Sequence, residues 1–124
     1  MDEVKSCDLT FRKIRQMDYC ELSSFFERNN IPQIVNTFSA FELNEENARK
    51  ICNYSGKDLY FLCIIRNEIV GFSMLRGWDE GFTIPSFGVF IDHDFQGKGI
   101  GKLFLDFTLS QAKKKKCSNV RLSV

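Results

Sequence analysis

Metal-binding and disulfide-forming residues are scarce in this sequence. It holds a single histidine, His93, and no Cys-x-x-Cys pair. Since zinc and iron sites need several such ligands close together, the sequence predicts no metal centre. Its five cysteines are odd in number and far apart: Cys7, Cys20, Cys52, Cys63 and Cys117. This pattern predicts reduced thiols in a cytoplasmic protein rather than a disulfide framework.

Long hydrophobic segments and a large net charge are also missing. The longest apolar run, Leu59–Ile65, has the length of a strand and is too short to cross a bilayer. The N-terminus is acidic and polar, unlike a secretory signal. Seventeen basic and sixteen acidic residues give a net charge of +1, so neither nucleic acid nor a membrane is expected as a partner. Any anion-binding site must therefore come from a local cluster of residues and not from the overall charge.

Apolar material for one core is plentiful. The 124 residues are 44% hydrophobic and include 13 Phe, which suits one compact domain and leaves no room for two. No linker, repeat or low-complexity tract divides the sequence. We therefore expect residues 1–124 to form a single domain.

The first half of the sequence has the pattern of one strand followed by two helices. Leu9 to Ile14 alternates as a strand does. Asp18 is placed to cap a helix that runs to about Asn29, and Pro32 interrupts the chain beyond that helix. A second helix is predicted from Asn44 to about Asn53.

The second half predicts a hairpin and then a strand–helix–strand unit. The predicted order is strand Leu59–Ile65, turn 66–68, strand Ile69–Leu75, turn 77–81, strand Ile84–Ile91, helix Gly99–Lys116 and strand Val120–Val124. Because a long helix joins the last two strands, they should run parallel. The fold class is therefore α/β, a mixed sheet with antiparallel N-terminal strands and a parallel strand–helix–strand at the C-terminal end.

A glycine-rich loop joins the predicted strand Ile84–Ile91 to the long helix. Gly97, Gly99 and Gly101 allow backbone amides to approach a ligand closely. The helix N-terminus adds about half a positive charge, and Lys98 and Lys102 add full charges. This combination predicts a site for a phosphate or a pyrophosphate.

Two widespread glycine motifs do not fit this loop. A P-loop needs four residues between its first Gly and Gly-Lys, followed by Ser or Thr, whereas only three separate Gly97 from Gly101-Lys102, and Leu103 follows. The dinucleotide fingerprint needs a glycine where Lys102 stands. Both alternatives fail on spacing.

The pattern that remains is Gln96-x-x-Gly99-x-Gly101, after an apolar strand and an Asp-x-x-Phe link. It resembles the acetyl-CoA-binding segment of the GNAT superfamily of N-acetyltransferases. The resemblance is specific over Ile84–Val124, and the upstream elements follow the family's order. It implies a GNAT-like acyl-CoA N-acyltransferase fold.

The resemblance also implies an activity and a binding site. The activity is transfer of an acetyl group from acetyl-CoA to a primary amine of a small molecule or peptide, by direct attack in a ternary complex. No metal takes part. Backbone groups of Val89, Phe90 and Ile91 are expected to contact pantetheine. The pyrophosphate is expected at the loop, on Gln96, Gly97, Lys98, Gly99, Ile100, Gly101 and Lys102.

The sequence departs from the family pattern in its proton-transfer groups. Residues 85–88 hold no carboxylate, Ser123 stands where some members have a glutamate, and the usual tyrosine would follow Val124. The domain is therefore expected to be C-terminally short, incomplete after the fifth strand. Three explanations stay open: part of a longer enzyme, a short member that completes its site as a homodimer, or an acyl-CoA-binding module without turnover.

Asp79 and Glu80 are the local candidates for a general base. They lie on the turn before the motif strand, next to Trp78. A solvated turn explains them as well, because Asp and Glu next to Gly suit turns. A generic anion-binding domain is the third functional hypothesis, and the sequence does not specify the acceptor amine.

Overall fold

The computed structural model describes residues 8–117 and 119–122. Nine helices and strands succeed one another in this part of the chain, apart from two short 3-10 turns. They are β1 Leu9–Lys13, α1 Tyr19–Arg28, α2 Pro32–Val35, α3 Glu45–Cys52, β2 Leu59–Ile65, β3 Glu68–Arg76, β4 Ser86–Ile91, α4 Ile100–Lys114 and β5 Arg121–Leu122.

The strands form one sheet in the order β1-β2-β3-β4-β5. Neighbouring strands from β1 to β4 are antiparallel, whereas β5 lies parallel to β4, with Ser86 opposite Arg121 and Phe87 opposite Leu122. This arrangement confirms the predicted mixed α/β sheet. The predicted last strand extends to Val124, but Ser123 and Val124 lie outside the described residues.

The β2–β3 hairpin is closed by a turn of two residues. Arg66 and Asn67 both have positive φ, of 49° and 69°, as expected for the tight turn that matches the twist of paired strands. The predicted turn included Glu68, which instead begins β3.

Each face of the sheet carries its own aromatic core. Beneath the first three helices, Phe25, Phe26 and Phe38 pack on Phe72 of β3 and Phe90 of β4, with ring centroids 4.8–6.4 Å apart. On the opposite face, Phe11 of β1 and Phe61 of β2 pack on Phe104 and Phe107 of α4. The sheet is thus fixed between two layers of helix.

Helix α1 begins after Asp18 as predicted, but the Asp18 side chain does not cap it. Its carboxylate instead accepts hydrogen bonds from Arg12, at 2.8 Å, and from the Arg15 amide, at 2.7 Å. Burial raises the pKa of Asp18, but Arg12 and Arg15 outweigh it and hold that pKa below its ordinary value. Asn44 does cap α3, because its side chain accepts the Asn47 amide at 2.9 Å.

Two prolines set local boundaries. Pro32 begins the short helix α2, where its fixed φ suits the first turn and its missing N–H is not needed. β4 begins at Ser86 rather than at the predicted Ile84, because Pro85 cannot donate to a ladder and Ile84 is exposed. None of the described helices has the length and apolar character needed to span a membrane.

Candidate functional site

Residues 92–99 join the end of β4 to the start of α4 and form an open loop. Gly97 and Gly99 have φ of +77° and +83°, in the left-handed region that glycine enters without strain. A Cβ added at Gly97 would have nothing within 4 Å, and one at Gly101 would meet only Ile91 Cγ1, at 3.9 Å. The surface over the loop is therefore clear of side chains at these two positions.

The first turn of α4 presents backbone amides to this surface. Gly99 is the N-cap residue and offers no side chain to bond them, and the first turn contains no acidic residue. The fifteen-residue helix concentrates partial positive charge at this end. Lys102 is exposed beside it, and the Ile100 side chain is buried, so Ile100 can contribute only its backbone. The arrangement can bind a phosphate-type anion.

The edge of β4 that does not face β3 runs toward this loop. The Asp92 amide donates to the Val70 carbonyl at 2.8 Å, which directs its backbone toward β3. Since backbone groups alternate along a strand, those of Val89 and Ile91 face the other edge, and those of Phe90 face β3. Within residues 8–117 and 119–122, β5 pairs with only the first two residues of β4. Val89 and Ile91 therefore lie where an extended ligand could add to the sheet.

Gln96 braces the loop instead of projecting freely from it. Its side-chain amide donates to the Ile91 carbonyl at 3.2 Å and accepts a hydrogen bond from Gln33 of α2 at 3.0 Å. The motif glutamine thus ties the loop to the end of β4 and to the helical layer.

A buried polar network anchors the start of the loop to the end of α1. The Asp92 carboxylate accepts hydrogen bonds from Arg28 Nε at 2.7 Å, from Asn29 Nδ2 at 3.1 Å and from the Asp94 amide at 2.9 Å. Asn29 Oδ1 in turn accepts the His93 amide at 2.9 Å. Asp92 and Asn29 are fully buried, so their polar atoms cannot bond to water and depend on these partners in the protein.

Asp92 remains charged in this environment. Burial raises its pKa, but the Asp94 amide, Arg28 and Asn29 together outweigh burial and hold the pKa below its ordinary value. Asp92, His93 and Asp94 could also offer ligand atoms to a cation within 4.8 Å of one another. Since Asp92 already has protein partners, the arrangement is explained as an anchor.

Asp92→Asn is expected to lower the free energy of unfolding by about 2–4 kcal/mol. The amide cannot accept from all three donors, and Asn29 is left buried with fewer bonds. Urea denaturation would measure the loss, with Asp94→Asn as the matched control because that side chain is exposed. Equal stability of the two variants would contradict the anchoring role.

The same variant has a defined pH signature. A carboxylate with a lowered pKa in the folded state stabilises the protein above its unfolded-state pKa of about 3.9, and this stabilisation is lost as the pH falls through the folded-state value. The stability difference between the wild type and Asp92→Asn should stay constant from pH 7 to about pH 5 and shrink below about pH 4.

The turn between β3 and β4 carries both predicted carboxylates, Asp79 and Glu80. Hydrogen bonds hold this turn in place and engage only one of the two carboxylates in doing so. Asp58 accepts the amides of Gly77 and Trp78, each at 2.9 Å. The Asp79 carboxylate accepts the Tyr54 hydroxyl and, at 2.9 Å, the Lys57 amide. Asp79 is therefore engaged in fixing the turn, which makes it the weaker candidate for a base.

Glu80 faces a different environment. It lines a cavity of about 170 Å³ near the start of β4. The other lining residues combine one cation, one hydroxyl and apolar groups: Arg76, Ser86, Ala40, Met74, Gly77 and Phe82. Of the two predicted carboxylates, Glu80 alone lines this cavity.

Sequence reasoning missed the residues that support the site from a distance. Arg28, Asn29 and Gln33 lie more than sixty positions before their loop partners, and nothing local marks them. Arg76 was missed as well, although it comes directly after an apolar strand and so lies near the turn with Glu80. The predicted strand order could have indicated that juxtaposition.

The chain is similar to a known protein family. A family model described as Acetyltransferase (GNAT) family matches residues 22–124. No curated protein sequence is significantly similar to the chain.

Solved structures share the fold at low sequence identity. A ribosomal-protein-alanine N-acetyltransferase from Brucella melitensis biovar Abortus 2308 has a TM-score of 0.68 and 17% identity, over 93% of this chain and 79% of that one. A GNAT family acetyltransferase from Staphylococcus aureus has a TM-score of 0.69 and 19% identity, over 94% and 87%. A ribosomal L7/L12 alpha-N-protein acetyltransferase in complex with coenzyme A has a TM-score of 0.68 and 18% identity, over 86% and 64%.

Proposed function

The chain belongs to the GNAT acetyltransferase family, and on that premise we propose that it transfers the acetyl group of acetyl-CoA to a primary amine. Membership makes it an acyltransferase that uses an acyl-CoA donor. The choice of acetyl, the amine acceptor and the residue roles are our proposal. The observation that carries it is the open glycine loop between β4 and the N-terminus of α4.

The loop suits the diphosphate of coenzyme A. Amides of residues 97–101 would bind its oxygens, since Gly97 and Gly101 leave space above the backbone. Lys98 and Lys102 would add charge, whereas Gln96 would hold the loop in place through the Ile91 carbonyl. The structural relative in complex with coenzyme A supports this assignment at the level of the fold.

The edge of β4 away from β3 suits the extended pantetheine arm. Val89 and the Ile91 amide direct backbone groups toward that edge, and the amide arm of pantetheine can pair with them as a strand would. The Ile91 carbonyl already accepts a hydrogen bond from Gln96. The Phe90 side chain packs in the core against Phe25, at 5.2 Å between ring centroids. It would hold β4 in place and would not contact pantetheine. The thioester would then lie beside the middle of β4.

The reaction proceeds by direct attack in a ternary complex. The amine must first lose a proton, so that its lone pair can form the new N–C bond as the C–S bond breaks. An amide N–H of β4 would stabilise the developing oxyanion, and alignment of the two substrates would supply much of the acceleration. The thiolate takes up a proton, and one proton is released overall.

Calorimetry with acetyl-CoA, coenzyme A, ADP and inorganic phosphate tests the binding site. We expect acetyl-CoA to bind more tightly than ADP, because the β4 edge adds pantetheine contacts. Equal affinity for ADP would favour a generic anion-binding domain. No heat of binding to a folded sample would exclude the assignment of the site.

Thiol release in the presence of a panel of primary amines tests the chemistry. Release above the hydrolytic background, with formation of the N-acetyl product by mass spectrometry, is the expected result. Binding of acetyl-CoA without release would instead identify an acyl-CoA-binding module without turnover.

A further inference from the structure

The cavity beside Glu80 lies on the face of the sheet that packs on the first three helices, toward the start of β4 from the proposed thioester position. Arg76 and Ser86 are opposite each other in the β3–β4 register, and both line the cavity. Ser86 is three residues before Val89, a separation of roughly 10 Å along a strand. The volume of about 170 Å³ holds a small organic molecule, since it equals roughly five or six water molecules.

Two opposite charges face this cavity without neutralising each other. No ion pair joins Arg76 to Glu80, and neither has another ionic partner within the part of the chain that the structure describes. The Arg76 guanidinium stands 5.9 Å from the centre of the Phe41 ring, within the range of a cation–π contact. Glu80 is exposed and is presented by the turn that Asp58 and Asp79 fix.

We propose that this cavity is the acceptor site and that it takes a dipolar amine, a free α-amino acid of small or medium size. The inference rests on the proposed function for its reaction. Arg76 binds the carboxylate through its planar pair of donors, whose geometry matches a carboxylate. Glu80 receives the ammonium group. The apolar lining from Ala40 and Met74 contacts the side chain of the amino acid.

The charges of the cavity fit this class of acceptor better than a simple amine. A monoamine would satisfy Glu80 and would offer no carboxylate to Arg76. In the dipolar ligand each charge meets its opposite. The chemical step keeps its balance: Glu80 accepts one proton from the ammonium, and the neutral nitrogen forms the N–C bond as the C–S bond breaks. The second proton that nitrogen loses goes to the thiolate, and Glu80 releases its proton to solvent.

The test compares matched acceptors on wild-type protein and one variant. Glycine, alanine, serine and methionine are assayed for thiol release against their amides, which lack the carboxylate. We expect kcat/KM to be about tenfold higher for the acids, since a charge-assisted pair is lost in the amides. Arg76→Gln should raise KM for the acids about tenfold while leaving KM for the amides unchanged.

Arg49→Gln is the matched control, because Arg49 is exposed on α3 and pairs with Glu45 away from the cavity. It should leave the preference for acids intact. Arg76→Lys keeps the charge without the planar pair of donors and should restore part of the affinity. Wild-type protein that uses acids and amides equally, or an Arg76→Gln variant that weakens both equally, would overturn the proposal.

Binding measurements separate this inference from the proposed function. If no amine causes thiol release, calorimetry can still show whether the cavity binds amino acids. The same amino acids are then titrated into protein saturated with coenzyme A. Binding that Arg76→Gln removes supports the dipolar site although the transferase activity has failed. Turnover of amines that lack a carboxylate, with no binding of amino acids, refutes the dipolar site and leaves the transferase intact.

Discussion

Gly101→Glu is expected to weaken acetyl-CoA binding about 100-fold or more, or ~2.7 kcal/mol. Gly101 lies in the first turn of α4, and the space above it is free except for Ile91 at 3.9 Å. The new carboxylate would stand where the amides and Lys102 concentrate positive charge. It would repel the diphosphate of the ligand and would compete with it for the same donors.

Gly101→Gln separates charge from size in this experiment. The two side chains have nearly the same shape, and both replace a glycine in helical conformation, where a side chain is tolerated and the fold should persist. Calorimetry should show a modest loss for the glutamine variant and near-complete loss for the glutamate variant. Comparable losses would mean that obstruction, rather than charge, governs the loop, and unchanged affinity in both would remove the loop from the binding site.

The strand order and the loop could be predicted because their signals are local. The run Leu59–Ile65 is apolar along its whole length, and the structure gives β2 the same bounds. The glycines at 97 and 99 are expected to allow an unusual backbone, and both adopt positive φ. A long helix between two strands implies that β4 and β5 are parallel, which the register confirms.

The sequence was less informative where contacts between distant parts of the chain determine the role of a side chain. Asp18 has the sequence signature of a helix cap, but the guanidinium of Arg12, brought beside it by β1, is a stronger partner for its carboxylate. Asp92 carried no prediction of its own, and in the structure its buried carboxylate pairs with Arg28 of α1. Asp79 and Glu80 are equivalent in sequence, and only the positions of Tyr54 and Lys57 distinguish them.

The second large effect is expected on catalysis, from a substitution at Glu80. Glu80→Gln is expected to lower kcat by about 100-fold or more at saturating acetyl-CoA, because general-base catalysis contributes on that order. At neutral pH the acceptor is an ammonium ion, which has no lone pair, and the variant removes the group proposed to accept its proton. The backbone amide of residue 80 would still donate to the Gly77 carbonyl, so the turn should keep its shape.

The pH dependence distinguishes loss of a base from a distorted site. The α-amino group of an amino-acid amide lacks a neighbouring carboxylate, as in a peptide, and has an ordinary pKa of about 8, so the amides are the acceptors for this test. Raising the pH therefore supplies neutral amine without help from the protein, and the ratio of wild-type to Glu80→Gln activity should fall between about pH 7 and pH 9. Glu46→Gln, an exposed change on α3, should match the wild type throughout. A ratio that stays constant with pH would assign Glu80 to positioning, because a misplaced acceptor is not corrected by deprotonation, and full activity of Glu80→Gln would place the base elsewhere.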